Sequence, residues 1–203
     1  MTNHPAAPET PVALVTGGTQ GVGLACAEAL LAAGSRVMVV GRSAERGKAA
    51  AAALAVKHPA APVEAFSADV ATPEGARAAV AACIDAYGRI DTLVSCAGGN
   101  PVPRLQHETA IADVPRIIAT TTSGVLLPAR AALEPMIRQR SGSIICIASD
   151  AAKVATPGEA AIGAAMAAIV MYCRTLAIEA KRSGIRVNCL TPSVVRDTPF
   201  YDD

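Results

Sequence analysis

Val12-Ala13-Leu14-Val15-Thr16-Gly17-Gly18-Thr19-Gln20-Gly21-Val22-Gly23 is the stretch on which the fold turns: an apolar, β-branched run followed at once by a glycine-rich turn. Val12 to Thr16 predicts a strand, and Gly21 to Ala33 predicts the helix that follows it. The pattern Thr-Gly-x-x-x-Gly-x-Gly lets backbone approach a pyrophosphate and aims the helix N-terminus at its charge. Gly17, Thr19, Gln20, Gly21, Val22 and Gly23 are therefore candidate nucleotide-binding residues. A tight strand-to-helix turn without a ligand is the competing reading, and the strand before and helix after are the context that favours the nucleotide.

Outward from that turn, short β-branched runs alternate with Ala-rich helical patterns almost to the end of the chain. The expected strands are Val12 to Thr16, Arg36 to Val40, Val63 to Ser67, Thr92 to Cys96, Ser143 to Ala148 and Arg186 to Leu190. The expected helices are Gly21 to Ala33, Ala44 to Lys57, Pro73 to Tyr87, Ala112 to Gln139 and Glu159 to Arg182, with Pro115 opening the fourth and Pro128 kinking it. Gly34, Gly88 and Gly184 each stand where a left-handed helix cap is needed. Such alternation predicts an α/β protein: a Rossmann-type, doubly wound parallel sheet with flanking helices, one domain over residues 1–203. The polar, Pro/Ala-rich residues 1–10 are expected to be a flexible N-terminus. After Thr191-Pro192 eleven residues remain, so the C-terminal part of such a sheet is expected to be short or missing.

Composition narrows the function classes. Apolar residues make up 52% of the chain and charged residues 17%, with no tryptophan, so the core is built from Ala, Val, Ile and Leu. A net charge of +1 with scattered Lys and Arg excludes nucleic acid as the expected partner. Cys26, Cys83, Cys96, Cys146, Cys173 and Cys189 are dispersed and read as small buried hydrophobes in a reducing, cytoplasmic setting. The N-terminus has neither a basic region nor an apolar core of an export signal. Ala160 to Cys173, the longest uncharged apolar run, is shorter than the roughly 20 residues a bilayer requires and is expected to be a buried helix. His4, His58 and His107 fit no metal spacing, so no metal is expected.

Two further positions bear on the nucleotide. After the second strand stands Gly41-Arg42-Ser43 instead of an acid for the ribose 2′-hydroxyl, and Arg42 suits a 2′-phosphate. That favours NADP over NAD, against the plainer reading of Arg42 as a solvated loop residue. Asp69-Val70, after the third strand, falls where an adenine edge passes, although Asp69 serves equally well to cap the next turn.

These residues, together with Asp91-Thr-Leu-Val-Ser-Cys-Ala-Gly98, Gly142-Ser-Ile-Ile-Cys-Ile-Ala-Ser149 and Gly184-Ile-Arg-Val-Asn188, resemble the short-chain dehydrogenase/reductase family over nearly the whole chain. The run from Ser149 to Ala160 looks most like the hydroxyacyl-CoA dehydrogenase and ketoacyl reductase branch. The resemblance implies a Tyr as general acid or base, a Lys that lowers its pKa and holds the nicotinamide ribose, a Ser that orients the carbonyl, and an Asn in a water relay. It also places Ala97 and Gly98 at the cofactor. Carried over position by position, Ser149 is retained, Tyr becomes Ile162, Lys becomes Met166 and Asn becomes Thr121.

Ile162 and Met166 exchange no protons, which removes acid–base assistance worth about 10² to 10⁴ in rate. Tyr172 lies ten residues from Ile162 on the same helix, about 80° round and roughly 15 Å along it. Lys153 is expected to be solvated. The sequence therefore predicts a dehydrogenase-fold protein with a degenerate site, inactive alone, binding NADP or NAD weakly or not at all. Its expected partner is a second copy or a dehydrogenase paralogue, met through the small residues Ala160, Ala161, Gly163, Ala164, Ala165, Ala167 and Ala168. An acyl-thioester-like substrate is the implied small molecule. An active NADP-dependent oxidoreductase using displaced groups, or an NADP(H)-sensing module, are the alternatives.

Overall fold

Every residue of β1 (Val12–Thr16) is buried, as a strand covered on both faces requires. Its alternate side chains serve two cores: Val12 and Leu14 join one cluster, Ala13 and Val15 the other. The computed structural model describes residues 10–99, 101–196 and 198. The expected flexible segment 1–10 and the chain after Thr198 lie, apart from Thr10, outside the described residues. The remaining strands are β2 (Arg36–Gly41), β3 (Val63–Ser67), β4 (Thr92–Ser95), β5 (Gly142–Ile147) and β6 (Ile185–Leu190). All pair in parallel in the order β3-β2-β1-β4-β5-β6. The order reverses between β1 and β4, which leaves a crevice outside their carboxyl ends.

The helices are α1 (Gly21–Ala32), α2 (Ala44–Lys57), α3 (Pro73–Tyr87), α4 (Asp113–Gln139) and α5 (Ala160–Ala180). Residues of α3, α4 and α5, including Cys83, Met136 and Ile169, build the larger core. On the opposite face α1 and α2 contribute Ala27, Leu31 and Leu54 to a smaller one. Among the described residues this face carries two helices against three, and it holds a groove of about 730 Å³ whose lining includes Ala25, Cys26 and Ala29 of α1, Ile147 and Leu190.

Two expectations are corrected, the start of α4 and the burial of α5. Pro115 does not open α4, which starts at Asp113; as third residue it still sits in the first turn, where its missing N–H is no loss. The helix is continuous through Pro128 and also through Pro135, both buried. Finally, Ala160–Ser183 is long and apolar enough to cross a membrane by length and composition, so counting one uncharged run misjudged it. In the fold α5 instead buries a single face, Ile162, Ala165, Ile169, Cys173, Leu176 and Ala180. Only 28% of its most apolar stretch is buried, so it is not the wholly buried helix the sequence suggested.

Candidate functional site

The turn after β1 is built by backbone constraints. Gly17 has φ 68°, a left-handed conformation that favours glycine, and a Cβ there would lie 2.9 Å from the Ala97 nitrogen and the Cys96 carbonyl. A Cβ on Gly23 would collide with the Gly17 carbonyl. Thr16 joins the ends of β1 and β4, its Oγ1 accepting from the Cys96 N–H at 3.3 Å. What the turn leaves open is the start of α1: Gln20 supplies no side-chain cap and the first turn holds no acid. By contrast, α2 is capped by Ser43 with Glu45 in its first turn, and α3 by Thr72 with Glu74. An uncapped, acid-free N-terminus beside close-packed glycines fits the pyrophosphate of a dinucleotide.

Around that turn, Thr19 packs over Gly41 at the end of β2, with Gln20 exposed and Val22 half-buried. Arg42 is exposed, and its carbonyl accepts from Ser67 Oγ at 3.0 Å. Asp69 Oδ1 accepts from the Ala71 N–H at 3.1 Å, which is the turn-capping alternative. Val70 is 4% exposed and packs in the larger core, so only its backbone is available to a ligand. Ala97 and Gly98 follow β4, where a Cβ on Gly124 of α4 would strike the Ala97 carbonyl. Ser95 Oγ donates to the Val125 carbonyl at 2.9 Å and secures α4 to the same edge.

Two strands away, Ser149 stands two residues beyond the end of β5 and caps a one-turn 3₁₀ segment, Asp150–Ala152. Its Oγ donates to Asp150 Oδ1 and accepts from the Ala151 N–H, each at 3.2 Å. Ile162 is buried and Met166 half-buried against the larger core. Thr121 is 1% exposed and its Oγ1 has no hydrogen-bond partner. Tyr172 faces away, its hydroxyl donating to the Leu126 carbonyl at 3.5 Å. Lys153 is exposed but not merely solvated: its Nζ donates to Thr191 Oγ1 at 2.6 Å. Asp150 follows Ser149 directly and was legible as a polar neighbour; Thr191 was not, because its contact spans 38 residues.

Burial keeps two thiols and one phenol near this edge in their protonated forms. Burial pushes the Cys96 thiol up to about 11, and burial with the neighbouring Cys173 pushes Cys189 up to about 12. Burial likewise holds the Tyr172 phenol at about 12. All six cysteines are free thiols, of which Cys83, Cys146 and Cys173 are buried and the other three half-buried, less uniformly than the sequence suggested.

A family model described as short chain dehydrogenase matches residues 11–203. The chain is 36% identical over 195 residues to 2-(R)-hydroxypropyl-CoM dehydrogenase of Xanthobacter autotrophicus, covering 93% of this chain and 76% of that one. It is 32% identical to a 3-oxoacyl-[acyl-carrier-protein] reductase of Chlamydia pneumoniae over 90% of this chain and 72% of the relative. Among solved structures, levodione reductase superposes with a TM-score of 0.90 at 30% identity, over 95% of this chain and 74% of that one.

Proposed function

The chain belongs to the short-chain dehydrogenase family, and from that premise we propose that it is a non-catalytic, nucleotide-binding subunit associated with an NAD(P)-dependent hydroxyacyl or ketoacyl oxidoreductase. The observation that carries this reading is the apolar pair on α5. Ile162 is buried and Met166 half-buried, with neither a proton donor nor a cation between them, and Tyr172 is turned toward α4. A dinucleotide would be held by the turn Gly17 to Gly23, the start of α1, and the backbone at Val70, Ala97 and Gly98, with Arg42 at a 2′-phosphate. When bound it supplies hydride chemistry; this chain's own residues orient it and add no acid–base step.

Association is the second half of the proposal. Ala160, Ala164, Ala167, Ala168, Met171 and Ile178 are exposed along α5, an apolar stripe at helical spacing that favours a packed neighbour. Ala165 belongs to the core instead, and a Cβ on Gly163 would press on the Ala151 carbonyl. Light scattering and pull-down from the native host test this. We expect an oligomer that contains an intact dehydrogenase of the same family and that Ala168→Arg breaks up; a stable monomer at micromolar concentration without any partner overturns it. One arrangement favours the second reading, an enzyme with displaced groups: Ser149 bonded to Asp150, and the Lys153 ammonium held at the end of β6. Hydride transfer by the isolated chain that is lost in Lys153→Met would establish that reading.

A further inference from the structure

At the opposite pole of the sheet, below the amino-terminal ends of β1 and β2, lies a pocket of about 560 Å³ lined by Thr10, Arg36, Tyr87, Gly88, Arg89 and Gln139. It is roughly 17 Å from the nucleotide turn, the length of a five-residue strand. Its two arginines are in different states. Arg89 is engaged by Asp91, with Nε at 3.1 and 3.0 Å from the two carboxylate oxygens and Nη2 at 2.8 Å. Arg36 has no carboxylate within ion-pair distance among the described residues: its Nη2 makes one long bond to the Thr10 carbonyl at 3.4 Å. Its Nε is buried without any acceptor.

Two features hold the Arg36 guanidinium in place despite this. It lies over the Tyr87 ring, 5.4 Å from the centroid, and that ring is fixed by a hydroxyl bond to the Val37 carbonyl at 3.2 Å. Burial raises the Tyr87 pKa, so the phenol stays neutral beside the cation. Gln139 is not a free donor, since its amide spans both polar atoms of the Ile90 backbone. Among the described residues, Glu64 and Asp91 are the acids acting on the neighbouring Cys83, and Asp91 is already shared with Arg89 and the Val12 N–H. A guanidinium fork that is stacked, oriented and under-bonded at a cavity matches a tetrahedral or planar oxyanion, which accepts from two N–H groups at once.

We propose that this pocket is a second anion site, binding a small oxyanion of the phosphate class through Arg36, independently of the nucleotide edge. Inorganic phosphate and the phosphate of a monoester share this chemistry, so the probes are inorganic phosphate and phenyl phosphate. The readout is the arginine Nε–H resonance of Arg36 in the full chain, assigned by its loss in Arg36→Lys. The expected result is a saturable shift with half-saturation at about 1–10 mM at low ionic strength. Chloride at matched ionic strength gives no such shift, and the Arg42 resonance does not follow the same curve. Arg36→Lys, which keeps the charge and loses the fork, weakens phosphate binding measured by calorimetry at least about tenfold. A tighter phenyl phosphate points to a monoester; equal affinities point to free phosphate. An Arg36 resonance that stays still, or that moves equally with chloride, overturns the site, and the wild-type titration alone decides if Arg36→Lys does not fold.

Discussion

The β1–α1 and β5–α5 crossovers open on the same edge of the sheet, two strands apart, and have been treated differently. In the first, requirements fall on the backbone: Gly17 sits against the Cys96–Ala97 peptide and Gly23 against the Gly17 carbonyl, and α1 starts without a cap. In the second the backbone course is kept, strand, Ser149, short turn and helix, while Ile162 and Met166 present hydrocarbon. Backbone requirements cannot be relaxed without moving neighbouring strands, whereas side chains at a chemical site can change while the helix still packs. On the proposed reading the fold and the proton-transfer groups are separable, and the division runs between these two crossovers.

The largest effect that would sharpen this contrast is catalytic. We expect the isolated chain to show no hydride transfer with NAD(H) or NADP(H) over a panel of hydroxyacyl and ketoacyl thioesters, followed by nicotinamide absorbance. Ile162→Tyr with Met166→Lys is expected to raise the rate by up to about 10² to 10⁴. Wild-type turnover that disappears in Ser149→Ala would break the comparison, because the second crossover would then still do chemistry.

Next in size is stability. Gly23→Ala forces a Cβ onto a backbone carbonyl that cannot move aside, so we expect a loss of about 1–3 kcal/mol or failure to fold. Ile162→Val removes one buried methyl group and should cost about 0.5–1.5 kcal/mol. Urea denaturation measures both; equal losses would mean the two crossovers are not constrained differently. Arg42→Met should then lower NADP affinity about tenfold, the loss of one charge-assisted contact, with NAD unchanged. Calorimetry showing both nucleotides equally affected would remove Arg42 from the ribose end.

The smallest effect concerns two thiols near this edge, Cys96 after β4 and Cys189 on β6. Cys96 and Cys189 have folded pKa values raised to about 11 and about 12 from 9.0, so the folded state favours the protonated form. Their contribution is complete below pH 9 and lost as pH rises from there toward 11–12. Denaturant midpoints should hold up to pH 9 and decline above it, and iodoacetamide at pH 8 should label these two thiols only on unfolding. Rapid labelling of native Cys96 at pH 8 would contradict the raised pKa of this half-buried thiol.

Much of this architecture was legible because it rests on local pattern. Val12–Thr16, Val63–Ser67, Ala44–Lys57 and Pro73–Tyr87 match the expected elements to the residue, since β-branched runs, N-caps and a first-turn proline are short-range signals. The left-handed caps at Gly34, Gly88 and Gly184 follow from the same local chemistry. Long-range facts were not legible: that Lys153 reaches Thr191, that Val70 points into the core, that Tyr172 bonds to α4. Nor does the length of one uncharged apolar run tell a buried helix from one covered on a single face, as α5 is.

By itself the sequence determined the order of elements and the glycine turn, because each is carried by residue type and spacing. Only the tertiary structure decided which side chains are spoken for. It placed Asp69 in a turn cap and left Thr121 Oγ1 and Arg36 Nε without acceptors. Among the described residues it also covered one face of the sheet with three helices and the other with two. The reason is physical: a hydrogen bond or a buried surface depends on what residues distant in the chain bring to the same place, and spacing along the chain holds no record of that.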